Sequence, residues 1–166
     1  GAAELVDDNG DLELVALQQE KNDWYVRQSR RLLAERHAAG NDMTAARQAL
    51  LEMFNSQRDE TQQLRAMWAL AAIGAADGDW LREQLNHPGE HLRVWAVRLL
   101  ADQETLAAAT IARFAELAKT DDSGLVRLYL ASALQRMPLE KRWPLAQALA
   151  SRLEDADDPQ LPLLGP

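Results

Sequence analysis

At 166 residues the chain is the size of one domain and long enough to bury a substantial core. Its formal net charge of −8 opposes the basic stripe that a grip on nucleic acid demands. It contains no cysteine, which excludes disulfides, thiolate metal sites, thiol nucleophiles and covalent haem attachment within these residues. The apolar share is dominated by Ala and Leu, which favour helix, while Phe and Tyr, which favour strand, occur only twice each. An all-α fold follows from that composition.

Segments of helical period alternate with short breaks along the whole chain. The first runs from Leu12 to about Glu20, with Leu14, Val15 and Leu17 apolar. Asn22 and Asp23 offer a cap for a helix from Trp24 to about His37, which Gly40-Asn41-Asp42 ends. Met43 to Phe54 and Glu60 to Ile73 follow, the latter closed by Gly74. Asp77-Gly78-Asp79 opens a short helix carrying Trp80, Leu81 and Leu85, and Pro88-Gly89 prevents its continuation. Helices are then expected over Glu90–Ala101, Glu104–Lys119, Leu125–Met137 and, after Pro138, Leu139 to about Leu153. These nine helices place a helical body over about 12–154, in a single domain spanning 1–166. The acidic and then Pro-rich stretch 155–166 is expected to leave that body. Gly1 and the final Leu164-Gly165-Pro166 read as the boundaries of a piece cut from a larger multidomain protein. No run of 18 apolar residues occurs, so direct membrane insertion is not expected.

Alternate helices share a wording. The second, fourth, sixth and eighth carry an apolar residue followed by Arg near the start: Val26-Arg27, Leu64-Arg65, Leu92-Arg93 and Val126-Arg127. The arginines are 38, 28 and 34 residues apart, a period that signifies stacked two-helix units. The Trp, Leu-Gly and Tyr spacing of tetratricopeptide repeats and the Thr-Pro-Leu-His of ankyrin repeats are both missing. An apolar-Arg pair followed by a small apolar face fits HEAT-like pairs. The expectation is a right-handed α-solenoid, an α–α superhelix of four pairs and a capping helix, that folds as a unit.

Residues able to carry chemistry are few. Arg27, Arg65, Arg93 and Arg127 could bind phosphate or carboxylate groups as a ladder of guanidiniums. A structural role at the turns between helices fits them better, with Asp23, Glu60, Glu90 and Asp122 upstream as candidate partners. His87 and His91 have the i, i+4 spacing of half a metal site, but Pro88-Gly89 interrupts any shared helix and turn roles fit better. The third histidine, His37, stands apart from them. Glu154-Asp155-Ala156-Asp157-Asp158 lacks the glycine and terminal Glu of a Ca²⁺ loop and reads as a solvated acidic run. No nucleophile elbow, P-loop or dinucleotide fingerprint occurs, so catalytic, cofactor-binding and metal-ligating residues are all expected to be absent. Trp24, Trp68, Trp80, Trp95 and Trp143 fall mostly at helical spacing beside Ala and Leu, as packing residues do. Some of them remain candidates for a groove or an interface with another domain.

Several strings carry a family resemblance. They are Asn22-Asp23-Trp24-Tyr25-Val26-Arg27, Leu64-Arg65-Ala66-Met67-Trp68-Ala69-Leu70, Arg93-Val94-Trp95-Ala96-Val97-Arg98 and Val126-Arg127-Leu128-Tyr129-Leu130-Ala131, with Arg142-Trp143 behind them. Together they resemble the helical-repeat region of large planctomycete and verrucomicrobial proteins described as membrane-bound dehydrogenases with a cytochrome c-like domain. In that family a sugar-dehydrogenase-like β-propeller precedes HEAT-like repeats, and a haem domain with a C-x-x-C-H motif follows.

The resemblance implies an exported, periplasmic or envelope-associated parent, with haem c only in another domain. It implies a non-catalytic scaffold whose partners are other domains of the same chain or a separate protein. Two further readings stand beside it. One is an independent adaptor for an external protein or peptide. The other is a DNA-lesion enzyme of the HEAT-like glycosylase kind, which the net charge opposes.

Overall fold

The computed structural model describes residues 10–156. Among them the chain is all-α, with nine α-helices and no strand. In chain order these are α1 Asp11–Ala16, α2 Asp23–Ala38, α3 Thr44–Ser56, α4 Glu60–Ala72, α5 Gly78–Gln84, α6 Glu90–Ala101, α7 Ala108–Thr120, α8 Gly124–Ala133 and α9 Trp143–Ala156. They fall into two compact units, one ending at Asp77 and the other starting at Gly78.

In the first unit α1 packs on α2 and α3 on α4, while α1 also touches α3 and α2 touches α4. The buried positions explain the pairing. On α2, Val26, Ser29, Leu32 and Leu33 recur at helical spacing and form its inner stripe. Ala46, Leu50, Met53 and Phe54 do so on α3. On α4 the inner face is Ala66, Met67, Ala69 and Leu70, and its two small residues let neighbouring helices approach closely.

The second unit repeats the scheme: α5 packs on α6 and α7 on α8, α5 touches α7, α6 touches α8, and α9 lies mainly against α7. Its core centres on Phe114, Leu92, Leu100, Leu130 and Leu145, all fully buried. Each such side chain contributes about 1.5–3 kcal/mol by leaving water.

Side chains set several helix starts. Asn22 Oδ1 accepts from the Trp24 N–H at 3.0 Å, Asp59 Oδ1 from Gln62 N–H at 3.2 Å and Ser123 Oγ from Val126 N–H at 3.1 Å. Before α3, the Thr44 hydroxyl and N–H both donate to Asp42, and these bonds hold its carboxyl below the ordinary carboxylate range.

Several expected boundaries move. The first helix becomes α-helical over Asp11–Ala16 and 3₁₀ over Leu17–Gln19, because the buried Gln18 amide bonds the carbonyls of Leu14 and Val26 and the Ser29 hydroxyl. The helix expected from Glu104 begins at Ala108, since Ala107 is extended and Leu106 is turned into the core. The helix expected to reach Met137 ends at Ala133 with a 3₁₀ turn behind it; Met137 is extended, as a residue before proline prefers. Leu139 opens only a 3₁₀ turn, and α9 starts at Trp143 with Pro144 in its first turn, where a missing N–H costs nothing. The helix runs on to Ala156, just past the limit near 154, and the remaining acidic and Pro-rich stretch lies outside the described residues.

Two helices end on a left-handed glycine. Gly40 has φ +86° and Gly74 φ +68°, and in each case the next N–H reaches back five residues, Asn41 to the Arg36 carbonyl at 3.1 Å and Ala75 to the Leu70 carbonyl at 2.8 Å. A Cβ at Gly40 meets open space, whereas one at Gly74 comes 2.8 Å from Nε2 of His37, an exposed ring able to swing away. Gly40→Ala and Gly74→Ala should therefore each lose about 1–2 kcal/mol, set by the φ angle rather than by collision. Urea unfolding of the two variants measures this.

Candidate interaction surfaces

In the first unit the repeated arginines work at the turn between α1 and α2. Arg27 pairs with Asp23 at 3.0 Å across one helical turn, with both side chains more than half exposed. Arg65, on α4, donates to the backbone carbonyls of Gln18 at 3.2 Å and Glu20 at 2.7 Å, and lies 3.9 Å from Asp23. Glu60, upstream of Arg65, occupies the first turn of α4. Beside them Arg30 stacks over the Trp68 ring at 5.4 Å, and its Nη1 is buried without a hydrogen-bond partner. Burial pulls the Arg30 guanidinium below its ordinary pKa, Asp23 pulls it back, and the charges of Arg27 and Arg65 add to the lowering.

The corresponding turn of the second unit lies between α7 and α8. Arg93 donates to both carboxylate oxygens of Asp121, at 2.8 and 3.2 Å, and from its other nitrogen to the carbonyls of His87 and Pro88 at 3.0 Å each. Arg127 donates to the Asp121 carbonyl at 2.6 Å, and Arg152 of α9 to the same carbonyl at 3.3 Å and to that of Lys119 at 2.9 Å. Asp121 therefore holds the position expected of Asp122, which is exposed beside it. Glu90 takes a hydrogen bond from the Ser123 hydroxyl, which also caps α8. Neither Asp121 nor Arg152 was singled out by sequence reasoning. The acidic doublet Asp121-Asp122 left a one-residue ambiguity, and Arg152 stands outside the repeated wording.

The tryptophans divide by surroundings. Trp24, Trp68 and Trp95 stand on α2, α4 and α6, the second helix of each pair, whereas Trp80 is on α5 and Trp143 opens α9. Trp24 meets Tyr25 edge to face at 5.1 Å. The Trp80 carbonyl accepts from the Gln84 amide at 3.2 Å. Trp143 is 71% exposed and Trp24 36%, so these two lend the most aromatic surface to a partner. Arg98 stacks 3.9 Å from the Trp95 ring centre and 5.2 Å from that of Tyr129. Two hollows border this helix layer in the second unit. One, of about 280 Å³, is lined by Arg98, Asp102, Tyr129, Ser132 and Arg136. The other, of about 300 Å³, lies between α8 and α9 and is mostly apolar, with Leu128, Leu149 and Leu153 flanked by Arg127 and Arg152.

The histidines sit in turns and helix ends. His87 Nδ1 accepts from the Gly89 N–H at 2.9 Å, His91 is in the first turn of α6 and His37 in the last turn of α2. Among the described residues no group of three or more His, Asp or Glu is placed to hold a metal ion. The side chains of the 154–158 acidic run lie outside the described residues. No helix of the described residues is long and apolar enough to cross a membrane.

Exposure separates the two ladder pairs in energy. Arg93 and Asp121 are 17% and 4% exposed, so Asp121→Ala strands a guanidinium with little water around it and should cost about 3–5 kcal/mol. The solvated Arg27–Asp23 pair is screened, and Arg27→Ala should cost no more than about 0.5 kcal/mol. Chemical denaturation of both variants, with Trp fluorescence as readout, tests the contrast.

No family model, no curated protein and no solved structure matches the chain.

Proposed function

We propose that the helical pairs stack as a right-handed α-solenoid of HEAT-like repeats and serve as a non-catalytic scaffold or interaction module of a larger exported protein. In this reading the chain spaces and docks a dehydrogenase-like propeller relative to a cytochrome c domain. Its partners are those domains or a separate protein, not nucleic acid. Within each unit the first helices of successive pairs touch one another, as do the second helices, which is the contact pattern of a stack of pairs. The observation that carries the functional reading is the aromatic and arginine content of the second helices: Trp68 with Arg30, and Trp95 with Arg98 and Tyr129. Trp, Tyr and Arg are the side chains that dominate binding energy at protein interfaces. The redox association and the exported location rest on the resemblance in the strings from Asn22 to Trp143.

Any haem c belongs to another part of the parent, because these 166 residues contain no cysteine to attach it. The test is a reduced-minus-oxidised visible spectrum of the full-length parent beside that of this chain, followed by capture of the parent's propeller and haem domains on the immobilised chain. The expected result is a c-type signal in the parent alone, with binding of at least one of those domains. Haem or turnover in the purified chain would overturn the scaffold reading. A matured parent without haem would remove the redox association and leave an independent adaptor.

A further inference from the structure

Arg98 differs from most arginines of the chain in how its charge is met. Arg65, Arg93, Arg127 and Arg152 are fastened to carbonyls or a carboxylate at the turns. Arg98 instead lies against two rings, Trp95 on its own helix at 3.9 Å and Tyr129 on α8 at 5.2 Å. Among the described residues no carboxylate or carbonyl accepts a hydrogen bond from it or pairs with it. Aromatic faces orient a guanidinium and stabilise it modestly, but they do not use its N–H donors. Arg98 lines the hollow of about 280 Å³ together with Asp102, Tyr129, Ser132 and Arg136. Asp102 is turned to Arg136 at 3.2 Å, so these two charges offset each other. The hollow is left with one unmatched positive charge, a hydroxyl and an aromatic wall.

We propose that this hollow between α6 and α8 binds the carboxylate of a Glu or Asp side chain from an acidic segment of a partner protein, with Arg98 as the fork. Stacking fixes the plane of the guanidinium in advance, so little freedom is lost when a carboxylate meets it in bidentate fashion. The volume admits one acidic side chain. A nucleic-acid strand needs several cations in a row, whereas this hollow offers one unmatched guanidinium. The assignment rests on the chain being an interaction module and specifies the partner's chemistry.

The test is fluorescence anisotropy of a fluorescein-labelled hexaglutamate peptide against the full chain at low salt, with hexaglutamine as control. Hexaglutamate should bind and hexaglutamine should not. Arg98→Met should weaken binding about tenfold, the loss expected for one charge-assisted hydrogen-bonded pair. Arg98→Lys should restore only part of it, because an ammonium cannot form the fork. Far-UV circular dichroism checks that the variants fold. Ser132→Glu, at an exposed position, supplies a carboxylate from the chain itself and should block the peptide even if Arg98→Met proves unstable.

Absence of hexaglutamate binding, or binding unchanged in folded Arg98→Met or in Ser132→Glu, would overturn the proposal. So would a single-stranded oligonucleotide that binds more tightly than hexaglutamate and loses that affinity in Arg98→Met, since the hollow would then be a phosphate site. Haem in the purified chain, by contrast, would sink the scaffold reading without touching this titration.

Discussion

Asp121 lies where three helices of the second unit are tied together. Its carboxylate receives Arg93 from α6 and the N–H of Ser123, while its carbonyl receives Arg127 from α8 and Arg152 from α9. The apolar faces of these helices supply most of the driving force for packing, but burial of Leu and Ala is non-directional. Helices joined by such faces alone can slide by a turn at little cost. A carboxylate only 4% exposed tolerates no such slip, because losing its guanidinium leaves a nearly water-free charge without its countercharge. The packing thus holds the unit together and the turn at Asp121 sets its register.

That register is what assembles the aromatic surface. On α6 Arg98 follows Arg93 by five residues, and on α8 Tyr129 follows Arg127 by two. Once both arginines are fastened at the same turn, Tyr129 is carried to within 5.2 Å of the Arg98 guanidinium that Trp95 also meets, and the hollow beside Ser132 follows. The first unit uses related parts with a different outcome. Arg65 donates to carbonyls there and lies 3.9 Å from the Asp23 carboxylate, and the stacked guanidinium, Arg30, comes from α2 onto a ring of α4.

The features legible in the sequence were those that depend on neighbours along the chain. Helical period, the glycine stops at Gly40 and Gly74, the caps at Asn22 and the break at Pro88-Gly89 are local and all find a place in the structure. The repeated Val-Arg and Leu-Arg wording marked the arginines at the turns, because each opens the second helix of a pair. What escaped was decided by distant contacts. Leu106 delays the start of α7 by entering the core, and Gln18 breaks α1 by burying an amide among the carbonyls of Leu14 and Val26. The i, i+3 pairing of Trp95 with Arg98 was open to recognition on a helix surface. Arg30 and Trp68 meet across 38 residues with nothing local to announce it.

The carbonyl grips of Arg65, Arg93, Arg127, Arg142 and Arg152 bear on how such a chain can drift. A guanidinium bonded to peptide oxygens recognises the course of the backbone and is indifferent to which side chains the turn displays. Turn letters other than a buried carboxylate such as Asp121 are then free to change, provided the path of the turn and the arginine survive. Lysine is a poor substitute at Arg142 and Arg152, each of which reaches two carbonyls from two different nitrogens of its flat fork. A comparison weighted toward the arginines and the shape of the turns, rather than toward the whole string of letters, is the kind that would find distant kin.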